Sequence, residues 1–315
     1  MNQSQLSTQP GPYNSVFQRD WWLDAVAPGA WSPLEVVSAG EVVARMPIVC
    51  RRKSGLNFIT MPRLTHTLGP WLADPNCGVA KRLAKEKNWL DTLAEQIPPF
   101  DYFCQNWHYS MQNWLPLLWR GFQATSCCTY VIEDISNPDA VWSNYRESAR
   151  REIRKARKHV DVRTDLSPEI LYRMTSKSFG QWNRKPPYGL EYLERLVSAC
   201  TKRQAGRLFF AEDSQGGVHA ALFLVWDESS AYYLVGGSNP ESRNSGAMSL
   251  LMHEAIQFAS TVSTVFDFEG SIVEPIERFV RSFGAQPRPF LTVRGYSRKM
   301  QIVQGFREMF RSAAG

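Results

Sequence analysis

Apolar positions change period several times along the second half of the chain, and each change marks an element. Residues 207–212 and 218–226 are β-rich runs around Ser214-Gln215-Gly216-Gly217, which predicts a hairpin. A third strand is expected over 231–235. It ends in Gly236-Gly237-Ser238-Asn239-Pro240, a loop whose glycines put no side chain in the way of a ligand. Over 246–260 the residues Met248, Leu251, Met252, Ala255, Ile256 and Ala259 recur at helical spacing. A strand over 264–268, a helix over 274–283 stopped by Gly284, and a last strand over 289–295 follow. Upstream, 168–180 and 190–200 read as helices. The order is helix, helix, three antiparallel strands, helix, strand, helix, strand.

The first half repeats this order. Strands over 34–38 and 41–51 flank Ala39-Gly40, and a strand over 57–61 leads to the loop Thr65-His66-Thr67-Leu68-Gly69-Pro70-Trp71. A helix over 79–96 comes next. Phe100-Asp101-Tyr102 then stands where Phe266-Asp267-Phe268 stands in the second half, 114–122 parallels 276–284, and 126–132 parallels the closing strand. Two copies of one unit are expected: an N-terminal domain over 1–140, a basic connecting helix over 141–160 and a C-terminal domain over 161–315. The last helix is expected to pack back on the first domain. The fold class is α/β in α+β layers, each lobe a mixed, largely antiparallel sheet flanked by helices.

The connecting helix carries Arg146, Arg150, Arg151, Arg154, Lys155, Arg157 and Lys158. At about 100° per residue these charges surround most of its circumference. A solvated face and a phosphate contact by Arg150, Arg151, Arg154 and Lys155 are the two readings.

Composition sets the outer limits. At 315 residues, 43% hydrophobic and 21% charged, the chain is globular and long enough for two cores. Its net charge of +6 favours anionic partners, and phosphate-bearing small molecules satisfy it as well as nucleic acid does. No apolar run reaches the roughly 18 residues that cross a bilayer, and residues 1–12 are polar. A cytoplasmic protein without membrane insertion is expected, of open oligomeric state. The six cysteines are scattered and none forms a C-x-x-C pair, which predicts free thiols and no metal. Motifs of P-loop, dinucleotide-binding, zinc-protease and nucleophile-elbow enzymes are absent from the sequence.

The strand order, with a Gly-containing loop leading into a helix after the third strand, resembles the GNAT superfamily of acyltransferases, and its doubling resembles the FemAB-like tandem members. The runs that carry this are Arg150-Arg151-Glu152-Ile153-Arg154-Lys155-Ala156, Tyr232-Tyr233-Leu234-Val235-Gly236-Gly237-Ser238, and Asp267-Phe268-Glu269-Gly270-Ser271. Ile276-Glu277-Arg278-Phe279 and Arg281-Ser282-Phe283-Gly284-Ala285 follow them, and Thr60-Met61-Pro62 with the Thr65 to Trp71 loop adds the first half. Together they look like FemAB-like or GNAT transferases of bacterial surface-polysaccharide gene clusters. The resemblance implies an N-acyltransferase that moves an acyl group from a coenzyme A or carrier thioester to an amine, here an amino sugar on a nucleotide. An aminoacyl-tRNA-dependent ligase acting on a peptidoglycan precursor or peptide is second, since no heptad run supplies the helical arm of such ligases. A catalytically idle binding or scaffold protein is third.

In GNAT enzymes that use acyl-CoA, a motif Arg/Gln-x-x-Gly-x-Gly/Ala opens the helix after the third strand and holds the pyrophosphate on helix N–H groups. The matching residues here are Arg243, Asn244, Ser245, Gly246 and Ala247, and Met248 replaces the final small residue. Acyl transfer to an amine needs a proton acceptor and donors for the oxyanion. Asp267 and Glu269, two apart on one strand, would project to the same face and share the proton work, or else cap a helix or pair with Arg278 or Arg281. The backbone after Val235 offers oxyanion donors, with Gly236 and Gly237 allowing close approach, or forms only a tight turn, and Ser238 is a further binding candidate. Trp182, Lys185 and Tyr188 lie in a rigid loop fit to cover a sugar or base, Tyr233 and Ser271 border the site, and Arg281 is a further anion contact. From the first half His66 is a catalytic candidate, with Trp71, Asn106 and His108 as binding candidates, in a site drawing on both lobes.

Overall fold

The computed structural model describes residues 11–270 and 273–301. Ser271 and the expected terminal helix lie outside the described residues. In chain order the first elements are α1 (Asp20–Val26), β1 (Trp31–Ser38), β2 (Glu41–Lys53), β3 (Leu56–Thr60), β4 (Trp71–Leu72), α2 (Val79–Glu95), β5 (Tyr102–Asn106), α3 (Leu115–Leu118) and β6 (Gln123–Ile132). Then come α4 (Pro138–Ser143), α5 (Glu147–Ala156), β7 (Val160–Arg163), α6 (Pro168–Gly180), α7 (Leu190–Lys202), β8 (Gly206–Asp213), β9 (Val218–Trp226) and β10 (Ser230–Ser238). The last are α8 (Ala247–Ala259), β11 (Val265–Asp267), α9 (Glu274–Arg281) and β12 (Gln286–Tyr296).

The chain divides into two compact units. Unit 1 is Met1–Arg19, Ala27–Ser126 and Phe290–Gly315; unit 2 is Asp20–Val26 and Cys127–Pro289. The boundaries expected at 140 and 161 therefore fall elsewhere, because each half's closing strand joins the other unit's sheet. β12 pairs antiparallel with β5 through Thr292↔Asn106, and β6 pairs antiparallel with β11 through Asp267↔Val131.

Within unit 1 the strands run β1-β2-β3-β5-β12, with β4 beside β2; within unit 2 they run β6-β11-β10-β9-β8-β7. Both sheets are antiparallel except at one place, and it is the same place in the repeat. β3 pairs parallel with β5, and β10 pairs parallel with β11. A parallel pair needs a crossover, and α2 and α8 are those crossovers.

In unit 2 both sheet faces are covered, so β8 and β9 read as continuous apolar runs instead of alternating ones. Phe209, Ala211, Ala220, Leu222 and Leu224 pack in one core with Leu251, Ala255 and Ile256 of α8 and with Ala149, Ile153 and Ala156 of α5. The buried α5 residues recur at i, i+4 and i+7, which makes that helix amphipathic. The charges expected to surround it are confined to its outer face. Unit 1 has its own core of Ala44, Met46, Ile48, Phe103, Trp107 and Val293.

Candidate active site

The site of unit 2 begins where β10 and β11 part. Their register runs Ser230↔Val265, Ala231↔Phe266 and Tyr232↔Asp267, and there β11 stops. β10 continues for six more residues to Ser238, kinked by a register shift between Tyr233 and Val235. The β11-facing backbone groups of its last residues thus have no partner from that strand.

Asp267 closes β11 and is 2% exposed. Its Oδ1 accepts the Thr129 hydroxyl from β6 and the Glu269 N–H at 2.8 Å. Those bonds fold the chain back, and Glu269 takes a left-handed φ of +57° beyond the strand. The expected same-face pair of carboxylates on one strand is therefore corrected: Asp267 holds the turn, and Glu269 is the acid the turn presents. Glu269 keeps some exposed surface, but its Oε1 is buried and has no hydrogen-bond partner among the described residues. Burial, and then the Asp267 charge, push its carboxyl well above the usual carboxylate range. Burial raises Asp267 to about 6, opposed by its two donors. The Tyr233 phenol is raised by burial first and then by the neighbouring Tyr188 and Glu269. Tyr232, on the opposite face of β10, is wholly buried core.

The glycines of β10 serve packing. A Cβ on Gly237 would stand 2.4 Å from the Met174 carbonyl of α6, and one on Gly236 would stand 2.5 Å from the Tyr233 hydroxyl. Ser238 is tied to the same helix, its N–H donating to Ser178 Oγ at 2.9 Å. The open, side-chain-free ligand loop expected from Gly236 onward is instead a strand end clamped under α6.

A cavity of about 250 Å³ opens at the N-terminus of α8, lined among others by Glu152, His219, Ser238, Arg243, Ser245 and Gly246. Gly246 caps the helix at φ +75°. A Cβ there would meet the Glu152 carbonyl at 2.4 Å, so the close passage of α5 also requires the glycine. His219 donates from Nε2 to Asp213 Oδ2 at 2.8 Å, and its buried Nδ1 has no partner among the described residues. The oriented N–H groups of the first turn of α8, the Arg243 guanidinium and the serine hydroxyls form a donor set that fits a pyrophosphate, while the free His219 Nδ1 can only accept. The Glu152 carboxylate is the one lining group of the wrong charge. Met248, in place of the small residue expected there, is only part of the wall.

The basic residues of α5 are mostly engaged at home. Arg150 and Arg154 pair with Glu147, Lys155 donates to the Asn244 carbonyl, and Arg151 stands 4.0 Å from Glu152. The phosphate cluster expected of these four is a set of local pairs. Arg281 likewise pairs with Glu277 at 2.7 Å and not with Asp267 or Glu269. Trp182 and Lys185 are exposed on the α6–α7 loop, while Tyr188 is buried beside Tyr172 and Tyr192.

His66, Asn106 and His108 gather at the corresponding strand end of unit 1. Asn106 donates to the His66 carbonyl at 3.2 Å and accepts the Thr292 hydroxyl at 2.9 Å, so both ends of an amide expected to bind substrate hold structure instead. His108 is 7% exposed; its Nδ1 accepts the Ser110 N–H at 3.3 Å, which leaves its proton on Nε2. Burial lowers both imidazoles to about 4, and each Nε2 is buried without a partner among the described residues. Trp71 sits apart, on β4 opposite Arg45 of β2. Asp101 is also misplaced by the repeat expectation. It opens β5, accepting the Asn57 N–H at 2.9 Å, whereas Asp267 ends β11, so the counterpart of Asp267-Phe268-Glu269 is Asn106-Trp107-His108.

Glu152, His219 and Thr129 are site residues that motif reading missed. Only the Asp213-x-x-x-x-x-His219 spacing across a hairpin hints at one of them.

These features define the class: two units of the tandem GNAT fold, the second retaining the parted strands and the helix-start cavity. The family model of an acetyltransferase (GNAT) domain matches residues 143–271. No curated protein sequence matches the chain. Among solved structures the chain is similar to FemX, at a TM-score of 0.63 and 14% identity, covering 88% of this chain and 91% of that one. It is also similar to the C-terminal domain of a putative lysylphosphatidylglycerol synthetase from Agrobacterium fabrum, at a TM-score of 0.54 and 10% identity, with 88% and 87% covered. A tandem GNAT protein from the clavulanic acid biosynthesis pathway superposes at a TM-score of 0.50 and 11% identity, with 87% and 93% covered. Among the described residues no helix is long and apolar enough to cross a membrane.

Proposed function

We propose that unit 2 catalyses N-acyl transfer, with acyl-CoA as donor and an amine as acceptor, the amine being that of a nucleotide-linked amino sugar in surface-glycan synthesis. The observation that carries this reading is the Glu269 carboxyl just beyond β11, its Oε1 buried without a partner among the described residues, where β10 parts from β11 and runs on to the α8 cavity. Arg243 and the first turn of α8 would hold the pyrophosphate of the donor. Bound there, acyl-CoA would supply the activated thioester carbonyl and CoA thiolate as the leaving group. Glu269 in its carboxylate form accepts the amine proton as the C–N bond forms; the C–S bond then breaks and the proton returns to the departing sulfur. Asp267 acts through the turn it holds and so positions Glu269. Trp182 and Lys185, exposed beside Tyr188, offer a stacking face and a cation to a nucleotide-linked acceptor.

An aminoacyl-tRNA donor ranks second, because pairing of the α5 arginines with Glu147 leaves that helix a weak polyanion surface. Calorimetry of the full chain with CoA tests the first reading. Saturable micromolar binding, weakened about tenfold in Arg243→Ala through loss of a charge-assisted contact, is expected. Absence of CoA binding together with retention of aminoacyl-tRNA would overturn it.

A further inference from the structure

Helix α2 of unit 1 projects. Its buried residues, Leu90 and Leu93, belong to its second half, whereas residues 78–85 are exposed all the way round. Two helical turns that pack on nothing gain no tertiary support, and helix propensity alone is marginal at that length. Val79, Leu83 and Lys87 follow one another at i, i+4 along a single stripe. The Lys87 ammonium lies 5.6 Å from the centre of the Trp119 ring, which joins this stripe to the end of α3. Leu115, Leu118 and Trp119 are exposed there, Trp119 to 62% and Val79 across the way to 65%. Nine large hydrophobic side chains are strongly exposed among the described residues, and five of them fall in these two short stretches. That is a cluster and not the scatter of an ordinary surface.

The charged residues around the cluster are mostly basic. Over 79–88 the chain has Lys81, Arg82, Lys85 and Lys87 against Glu86 alone. Glu86 pairs with Arg82 at 3.5 Å, and Lys81 and Lys85 have no ion-pair partner among the described residues. The acids Asp91 and Glu95 stand further along α2, where they hold Arg120, and Asp91 also takes Lys87 at 2.6 Å.

We propose that the tip of α2 with the end of α3 is a docking site for an anionic lipid bilayer surface. Val79, Leu83, Leu118 and Trp119 would enter the headgroup boundary, where an indole is at home, while Lys81 and Lys85 meet lipid phosphates with their stems laid along the apolar stripe. A fluid interface accepts a protruding tip that is apolar on one side and basic around it. A protein partner would have to supply a deep acidic socket of matching shape. Docking of this kind needs no membrane-spanning helix, and it is independent of the acyl-transfer reading.

Co-sedimentation of the full chain with vesicles decides the matter. Retention is expected on mixed phosphatidylglycerol and phosphatidylcholine at low salt, and not on phosphatidylcholine alone. Lys81→Gln with Lys85→Gln should weaken it about 25-fold, since each basic residue at an anionic surface contributes roughly fivefold. Leu118→Ser with Trp119→Ser should weaken it at least tenfold, both sites being exposed enough to leave the fold intact, as circular dichroism would verify. No retention on anionic vesicles, retention unchanged in both variants, or a dimer in light scattering that both variants dissolve would each overturn the proposal.

Discussion

At the end of β11 the polar side chains are two carboxyls, Asp267 and Glu269; at the matching end of β5 they are an amide and an imidazole, Asn106 and His108. The frames around them agree closely. In each the middle residue, Phe268 or Trp107, is sealed in a core. Its N–H bonds to the neighbouring antiparallel strand, to Tyr130 O at 2.9 Å or to Leu291 O at 2.8 Å. The first side chain takes a threonine hydroxyl, from Thr129 or Thr292. The third carries a buried polar atom without a partner among the described residues. Burial thus disfavours charge at both ends alike, with opposite results for the proton. It holds protons on acids in unit 2 and keeps them off imidazoles in unit 1. The helix starts differ as well. That of α8 faces a cavity, while that of α2 stands in solvent.

Breaking the chemistry at one end and then the other is the sharpest comparison. Glu269→Gln should lower kcat for amine acylation about a hundredfold or more, the scale of a lost general base. His108→Gln should change it less than about threefold. Because the raised Glu269 carboxyl must ionise to work, wild-type kcat should still be climbing with pH beyond the usual carboxylate range, and the climb should vanish in the glutamine variant. Equal losses at the two ends would dissolve the distinction.

Stability against pH tests the electrical contrast next. The acids of unit 2 bind protons more tightly in the native state, so their stabilisation is present below the ordinary carboxylate pKa and is lost as pH rises through about 6 for Asp267. The imidazoles of unit 1 refuse protons that the unfolded chain accepts. Their contribution is whole above about 6.5 and falls as pH drops toward 4, by about 2 kcal/mol for each histidine at pH 5. Hydrogen exchange at pH 5 and pH 7, corrected for intrinsic rates, should show protection falling around His108 on acidification and rising around Asp267. Parallel losses in the two regions would contradict the assignment.

The smallest effect concerns the helix start. Glu152→Gln removes the one lining carboxylate of the α8 cavity and should tighten CoA binding about threefold, the worth of a partly exposed charge contact. Looser binding would mean that Glu152 orders the loop more than it repels the donor.

Much of this was legible before folding. Turn residues and β-rich runs located the β8–β9 hairpin, helical spacing bounded α6 and α8 to within two residues, and the repeat exposed two units. Other features were invisible for stated reasons. A short β run does not encode which sheet edge it will join, so the exchange of β6 and β12 between units escaped the linear pattern. The repeat aligned Asp101 with Asp267 because both follow phenylalanine, although one opens a strand and the other ends one. The glycines at 236 and 237 suggested a ligand, but their need comes from Tyr233 and the backbone of α6, residues far away along the chain for the latter.

Periodicity and turn chemistry are local, and they sufficed for the elements, the doubling and the fold class. Which acid is presented and which one holds the turn needed the folded chain. The Thr129 hydroxyl that fixes Asp267 is 138 residues away, and the burial that sets the Glu269 proton exists only once distant strands have closed around it.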